Sequence, residues 1–252
     1  MADSLKPFWR YYGGKWRDAL SYPPPRRGVI VEPFAGAAGY SCRYPDRDVV
    51  LVDASPIIAG IWRWLVSATA ADVLAIGDVP DGGTVSDIDA PQPARWLAGF
   101  WMGNGMAAPS PRPSKWGKLG ADVHNWCGWN HKSRGRIAAQ VDRIRHWTVI
   151  EGDYTAAPDV EATWFVDPPY NGRAGRHYKH QPASFADLGA WCRTRRGQVI
   201  VCEAGGADWL PFRPHATIRA TSSPHRKATA EEVVWTWNDR AEQMALFGAS
   251  DG

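Results

Sequence analysis

Asp167, Pro168, Pro169 and Tyr170 follow directly on the apolar run Trp164-Phe165-Val166. Consecutive prolines hold φ at about −65° and remove two N–H donors from the turn. The Asp167 carboxylate and the Pro168 carbonyl then present two acceptors on one side. The exocyclic amino group of a nucleobase offers two N–H donors, which such a pair suits. Tyr170 adds a flat face for the same base. Upstream, Glu32-Pro33-Phe34-Ala35-Gly36-Ala37-Ala38-Gly39-Tyr40 closes another apolar run, and its glycines allow backbone to approach a ligand closely. Asp53 ends the next run, 17 residues after Gly36. An acid at that spacing suits the two hydroxyls of a ribose. Two weaker signals are Gly152-Asp153-Tyr154, an acid at a third strand end near an adenine edge, and Tyr11-Tyr12-Gly13-Gly14-Lys15, where backbone and an ammonium can lie against an anionic or carbonyl ligand. Each also has a bland reading as an ordinary turn.

These groups need a scaffold that brings them to one edge. The β-branched runs 28–32, 48–53, 147–151, 163–167 and 197–203 are separated by helical or Gly/Pro-rich stretches. Most are continuously apolar, as expected of strands buried on both faces of a parallel sheet. Carboxylates at their ends would line the crevice where open α/β sheets bind ligands. Runs 216–221 and 232–237 alternate better and predict a C-terminal antiparallel hairpin. Helices are expected over 56–67, over 184–196 behind a capping Ser184, and around Ile137, Val141 and Ile144. The reading is an α/β protein with a mostly parallel sheet, and a catalytic domain spanning residues 1–74 and 147–240. Residues 75–146 would form an inserted recognition region, with 72–93 as a connecting segment, and 241–252 a loose tail.

Composition narrows the function classes. Of 252 residues, 44% are apolar and 22% charged, values of an ordinary globular chain rather than a disordered one. No apolar stretch is long enough for a membrane span. The N-terminus has no apolar signal segment, so a cytoplasmic location, in a bacterium or a virus-infected host cell, is expected. Four cysteines without Cys-x-x-Cys spacing read as reduced thiols. His124, Cys127 and His131 lack a fourth ligand, so no metal is expected. The net charge is only +3, so a nucleic-acid partner must be met by a local patch. Eight Lys/Arg, among them Lys115, Lys118, Lys132, Arg134 and Arg136, face two Asp within 112–145, interleaved with Trp116, Trp126 and Trp129. Arg173, Arg176 and Lys179 add an acid-free basic stretch beside the Asp-Pro-Pro-Tyr turn. A solvated surface is the bland reading of both.

In their types and order these motifs resemble the DNA adenine-N6 methyltransferases of the alpha (D12) arrangement: an N-terminal Gly-Gly-Lys, a Pro-Phe-x-Gly loop, an acid at the second strand, an insert, Gly-Asp-Tyr and Asp-Pro-Pro-Tyr. The resemblance spans roughly residues 8–238. It implies a Rossmann-like methyltransferase sheet, S-adenosyl-L-methionine as cofactor and double-stranded DNA as partner. Glu32, Phe34, Gly36 and Ala37 would line the methionine side. Asp53 would bind the ribose, and Asp153 and Tyr154 the adenine. Tyr11 and Lys15 would close over the site. Asp167, Pro168 and Tyr170 would carry methyl transfer to a flipped adenine, and the basic residues above would contact DNA, in a restriction-modification setting. Two residues depart from the family pattern. Ala38 stands where Gly is usual and would narrow the cofactor pocket, and Glu203 stands where a small or amide residue is common. Cytosine N4, an amino group in RNA or protein, and a non-catalytic nucleic-acid binder are the alternatives. Asp rather than Ser or Asn at 167 favours adenine.

Overall fold

The computed structural model of the chain describes residues 3–103, 105–113, 128–172, 175–219 and 229–238. Lys115, Lys118, Trp116, Trp126, His124, Cys127, Arg173 and the tail lie outside these residues.

Strands β1 (Val29–Glu32), β2 (Asp48–Asp53), β3 (Thr148–Glu151), β4 (Ala162–Val166), β5 (Gly197–Ala204), β6 (Arg213–Arg219) and β7 (Thr229–Trp237) form one sheet. Their order is β3-β2-β1-β4-β5-β7-β6. The first five pair in parallel; β7 runs antiparallel to both β5 and β6. The protein is therefore α/β with a mixed, mostly parallel sheet and antiparallel C-terminal strands. β7 inserts between β5 and β6, so the C-terminal pair extends the sheet rather than standing apart from it.

Burial follows from strand position. Every residue of the central β4 is buried, as its unbroken apolar run requires, whereas the edge strand β3 has no fully buried residue. The opposite edge, β6, contains Pro214 beside an irregular register at Pro214/Ala216. Proline has no N–H for a ladder, and an edge strand tolerates that. Alternation along the strands divides the core in two. Ile30, Leu51, Phe165, Ile200 and Cys202 face one layer, and Val31, Val52, Trp164, Val166, Val199 and Val201 the other.

The first layer is covered by α1 (Pro56–Ser67), α2 (Ala70–Ala75), α3 (Gln92–Gly103) and α4 (His131–Ala138), the second by α5 (Phe185–Arg193). Pro56 occupies the first turn of α1, where its missing N–H costs nothing. Thr69 and Asp72 form a capping box on α2, Asn130 caps α4, and Ser184 caps α5. The helix expected around Ile137, Val141 and Ile144 is split. α4 ends at Ala138, and a separate 3-10 turn covers Val141–Ile144. α3 was not expected, and it packs Leu97, Phe100 and Trp101 into the first layer.

Among the described residues, packing runs on across residues 75 and 146. Val85, Ile88, Trp129, Ile137, Val141 and Ile144 share one buried cluster with Ile30 and Leu51. Among the described residues no helix is long and apolar enough to cross a membrane, and Cys42, Cys192 and Cys202 are buried free thiols.

Candidate active site

The chain lays β1, β2 and β3 outward in one direction, then returns to place β4 on the other side of β1. The loops leaving β1 and β4 therefore diverge, which opens a crevice at the carboxyl ends of these strands. The Glu32–Tyr40 loop and the Asp167 turn flank it.

The loop after β1 is held by three side chains. Asp53 Oδ2 accepts from Gly36 N at 2.9 Å while its Oδ1 accepts from Ser55 N at 2.9 Å. Each oxygen keeps a lone pair for a further donor. Burial raises the Asp53 carboxyl above its ordinary value, against the two amide bonds. Glu32 Oε1 accepts from Ser41 N at 2.7 Å, and burial pushes its carboxyl up to about 8. Trp62 Nε1 on α1 donates to Gly36 O at 2.8 Å.

Ala38 adopts φ +48°, a left-handed conformation that costs a non-glycine residue about 1 kcal/mol or more. Its methyl group is fully buried in the first core layer and does not line the crevice. The expectation that Ala38 narrows the pocket is thus corrected: the loop turns this side chain into the core.

Gly39 is required for close approach. A Cβ there would lie 2.6 Å from Trp16 N and 3.1 Å from Lys15 N, so the N-terminal segment packs directly on the loop. That segment is fastened by Trp16 Nε1 to Leu5 O and by Arg43, whose Nε donates to Trp16 O and whose guanidinium lies 3.4 Å above the indole. Gly39→Ala is expected to destabilise the fold by about 1–3 kcal/mol through overpacking. It should also expose the first sixteen residues to limited proteolysis; an unchanged cleavage pattern refutes this contact.

A buried charge cluster lies beneath the Asp167 turn. Lys15 Nζ lies 3.0 Å from Asp167 Oδ1 and 3.8 Å from Glu232 Oε1, and 4.7 Å above the Tyr170 ring. Burial alone would lower the Lys15 ammonium, but attraction to Asp167, Tyr170 and Glu232 outweighs it and leaves the group well above its ordinary value. Asp167 is pushed up to about 6, raised by burial, lowered by Lys15 and raised again by Glu232. Glu203, the last residue but one of β5, holds the far side of the turn. Its carboxylate accepts from Asn171 N at 3.1 Å, Ala204 N at 2.8 Å and Trp209 Nε1 at 3.0 Å. This acid thus anchors the residue after Tyr170.

One cavity of about 240 Å³ joins these parts. It is lined by Tyr11, Lys15, Glu32, Phe34, Gly36, Ala37, Asp53, Asp153, Tyr154 and Asp167, among others. All nine residues expected to hold a cofactor therefore meet Asp167 in one place. Phe34 and Tyr154 stack at 5.8 Å and 30°, a flat apolar wall, and Tyr154 meets Trp191 edge-on at 5.2 Å. Asp153 is exposed and caps the short turn after β3 by accepting from Thr155 N.

Pro168 and Tyr170 are not among the lining residues; Pro169 is. Successive residues of an extended turn face opposite ways, so Asp167 and Pro169 point together and Pro168 is buried behind them. One face of Tyr170 is taken by Lys15, and its hydroxyl donates to Glu232 at 3.1 Å. The stacking face expected of Tyr170 is thus partly occupied.

Sequence reasoning missed the cover of the cavity. Tyr178 to Ala183 line it, and the Tyr178 hydroxyl donates to Tyr12 O at 2.7 Å. Its ring touches both Tyr11 and Tyr12, at 5.9 and 5.8 Å. Gly13 makes room, with φ +68° and a Cβ position 2.6 Å from the Tyr178 hydroxyl. Glu232, on a strand read only as part of a hairpin, was missed as well.

The basic residues divide. Arg134 pairs with Asp78 at 2.5 Å and lies over Trp129, while Arg136 donates to Pro7 O at 2.8 Å and lies over Trp101. Trp129 itself is buried, its Nε1 bonded to Gly77 O. Arg143 reaches Asp3 O and Asp46, and Arg145 reaches Asp142 and Ala68 O. Arg134, Arg136, Arg143 and Arg145 thus have partners within the fold, while Arg136 and Arg145 remain exposed. Lys132 is exposed at the start of α4; Arg176 and Lys179 are exposed, and Lys179 with His180 borders the cavity. Among the described residues no cluster of His, Cys, Asp and Glu could hold a metal ion.

Comparison with protein-family models and with curated proteins returns no match.

Proposed function

We propose that the chain is an S-adenosyl-L-methionine-dependent amino-methyltransferase whose acceptor is N6 of an adenine flipped out of duplex DNA. The observation that carries this reading is a single cavity in which Asp167, at the carboxyl end of β4, faces the glycine loop of β1 and the Asp53 carboxylate of β2. The strand order suits a Rossmann-like methyltransferase sheet, with the crevice where such a sheet binds its ligand.

The residues present fit the cofactor. Asp53 has a free lone pair on each oxygen for ribose hydroxyls, and the Phe34–Tyr154 wall suits an adenine ring. Glu32 and Gly36 border the space for the amino-acid end. The bound cofactor supplies a methyl group already activated by its sulfonium.

The protein's own task is the acceptor. An adenine amino lone pair is delocalised into the ring. Asp167, held in a largely buried site, accepts from the amino N–H and favours a localised lone pair on nitrogen. Its raised carboxyl is also matched to taking up the surplus proton near neutral pH. Tyr178 and its neighbours line this cavity, so a base entering beside the cofactor would pass against them. Base extrusion costs a few kcal/mol, least for a base already unpaired. Lys179, exposed at the border of the cavity, and the exposed Arg176 three residues before it suit its flanking phosphates.

Incubating the protein with methyl-labelled cofactor and genomic DNA, followed by mass identification of the nucleoside, tests the reading. N6-methyladenine is the expected product; N4-methylcytosine reassigns the acceptor, and no label in DNA or RNA rejects the activity. Asp53→Asn should weaken cofactor binding about tenfold or more in a direct titration, the scale of a hydrogen-bonded charge. Unchanged affinity removes Asp53 from the ribose.

A further inference from the structure

Glu232 is the least expected carboxylate in the protein. It sits on β7 between Glu231 and Val233, paired with Ala204 of β5, and is 1% exposed. Its Oε1 accepts from the hydroxyls of Tyr22 and Tyr170 and lies near Lys15 Nζ, while its Oε2 is buried without a hydrogen-bond partner. A half-satisfied buried acid is a poor way to stabilise a strand, since an apolar residue of similar volume would do at least as well. Its neighbours are groups of the proposed site.

We infer that Glu232 is a positioning residue of the transfer site: it shares the Lys15 ammonium with Asp167 and fixes the Tyr170 ring through its hydroxyl, leaving Asp167 lone pairs open to the acceptor. This role rests on the methyltransferase reading; the underlying sharing of charge does not.

The argument is electrostatic. With Asp167 as its sole partner, Lys15 would form a neutral pair, and the ammonium would compete with the substrate amino group for the same carboxylate. Glu232 pulls on that ammonium from 3.8 Å against 3.0 Å for Asp167. Coulomb attraction falls only as the inverse distance, so the two pulls are comparable. One cation between two anions leaves a net negative charge in the ionised cluster, which suits a site that receives a sulfonium. On the other side, Lys15 and the Glu232 bond hold the Tyr170 ring from its face and its tip.

The test is a carboxyl carbon NMR titration of the full chain, with the Asp167 signal assigned by its loss in Asp167→Asn. The groups facing Asp167 are Lys15 and Tyr11 of the N-terminal segment, Tyr22, Glu32 on β1, Tyr170 in its own turn, Tyr178, Cys202 and Glu203 on β5, and Glu232 on β7. In Glu232→Gln the repelling charge is gone and Lys15 commits to Asp167. The Asp167 midpoint should fall by about one pH unit from its value near 6. In Glu232→Asp, which keeps the charge, it should stay close to that value. A purely structural role moves neither midpoint, and an unchanged or raised midpoint in the Gln variant overturns the inference.

If the Gln variant does not fold, the Lys15 ammonium resonance decides. Its chemical shift should change in Glu232→Asp, which draws the second carboxylate back from the ammonium, and an identical shift overturns the sharing. In methyl transfer, Glu232→Gln should lower kcat about ten- to a hundredfold with unchanged cofactor affinity, and shift the acid limb of the pH profile downward. A midpoint shift without any transfer by the unaltered chain counts against the methyltransferase reading, not against the sharing of Lys15.

Discussion

Asn in place of Asp167 is expected to reduce methyl transfer by about a thousandfold or more while cofactor affinity stays within about twofold. Asn has the same shape but presents one acceptor and one donor. Its amide oxygen is an uncharged and weaker acceptor than a carboxylate, and its N–H₂ repels the acceptor's own amino group, so localisation of the lone pair is weakened, and a neutral amide takes up no proton. Binding should be spared because Asp167 follows β4, with β1 between it and the end of β2 that carries Asp53, the residue proposed to hold the cofactor ribose.

Stability separates this from misfolding. The Asp167 carboxyl is raised to about 6, so the folded state binds its proton more tightly than an unfolded chain. The stabilisation from that proton is complete below pH about 4 and is lost as pH rises through about 6. At pH 8 the ionised group is therefore a burden, and Asp167→Asn should be at least as stable as the unaltered chain in denaturant. Lys15 keeps Glu232 as its counter-charge in the variant. For the unaltered protein, transfer should fall about tenfold per unit as pH drops below about 6, because only the ionised carboxylate accepts. Retained turnover within tenfold in Asp167→Asn would remove the side chain from the chemistry.

How far the site could be read in advance depended on distance along the chain. The Asp167 turn, the glycine loop and Asp53 each belong to a short local pattern, a strand followed by punctuation, and their convergence follows from parallel pairing of β2, β1 and β4. Glu232 and Tyr178 have no such pattern. Glu232 reaches Tyr22 across 210 residues of sequence, and Tyr178 reaches Tyr12 across 166. Their roles exist only once the sheet has folded. α3 was hidden for a different reason. Its stripe of Leu97, Phe100 and Trp101 contains Gly99, a poor helix former; Gly99 is buried in the helix, and a Cβ there would lie 2.7 Å from Pro109. Charge counting does not see partners: Arg134 and Arg136 lie over Trp129 and Trp101, contacts made between segments that no local pattern joins.

Trp62 links the core to the loop, and its removal should have the largest effect on stability. The indole is fully buried, edge-on to Phe8 at 5.4 Å and tilted against Trp9 at 4.9 Å and Trp147 at 5.7 Å. Truncation to Ala removes a large apolar surface and leaves a cavity between α1 and the N-terminal segment that other aromatic rings cannot fill. The expected cost is about 3–5 kcal/mol. Domains commonly have only about 5–15 kcal/mol in hand, so denaturation midpoints should fall steeply. A loss below about 1 kcal/mol would refute this packing role. Trp62→Phe separates the two functions of the ring. It keeps most of the buried surface but deletes the donor to Gly36 O, the peptide unit next to the amide that Asp53 holds. An unpaired carbonyl there costs about 1–3 kcal/mol locally. The loop should then loosen at the position where it borders the cavity, so cofactor affinity should drop several-fold while global stability falls less than in the Ala variant. Equal affinity in Trp62→Phe and the unaltered chain would show that Asp53 alone sets the loop, and would confine Trp62 to the core.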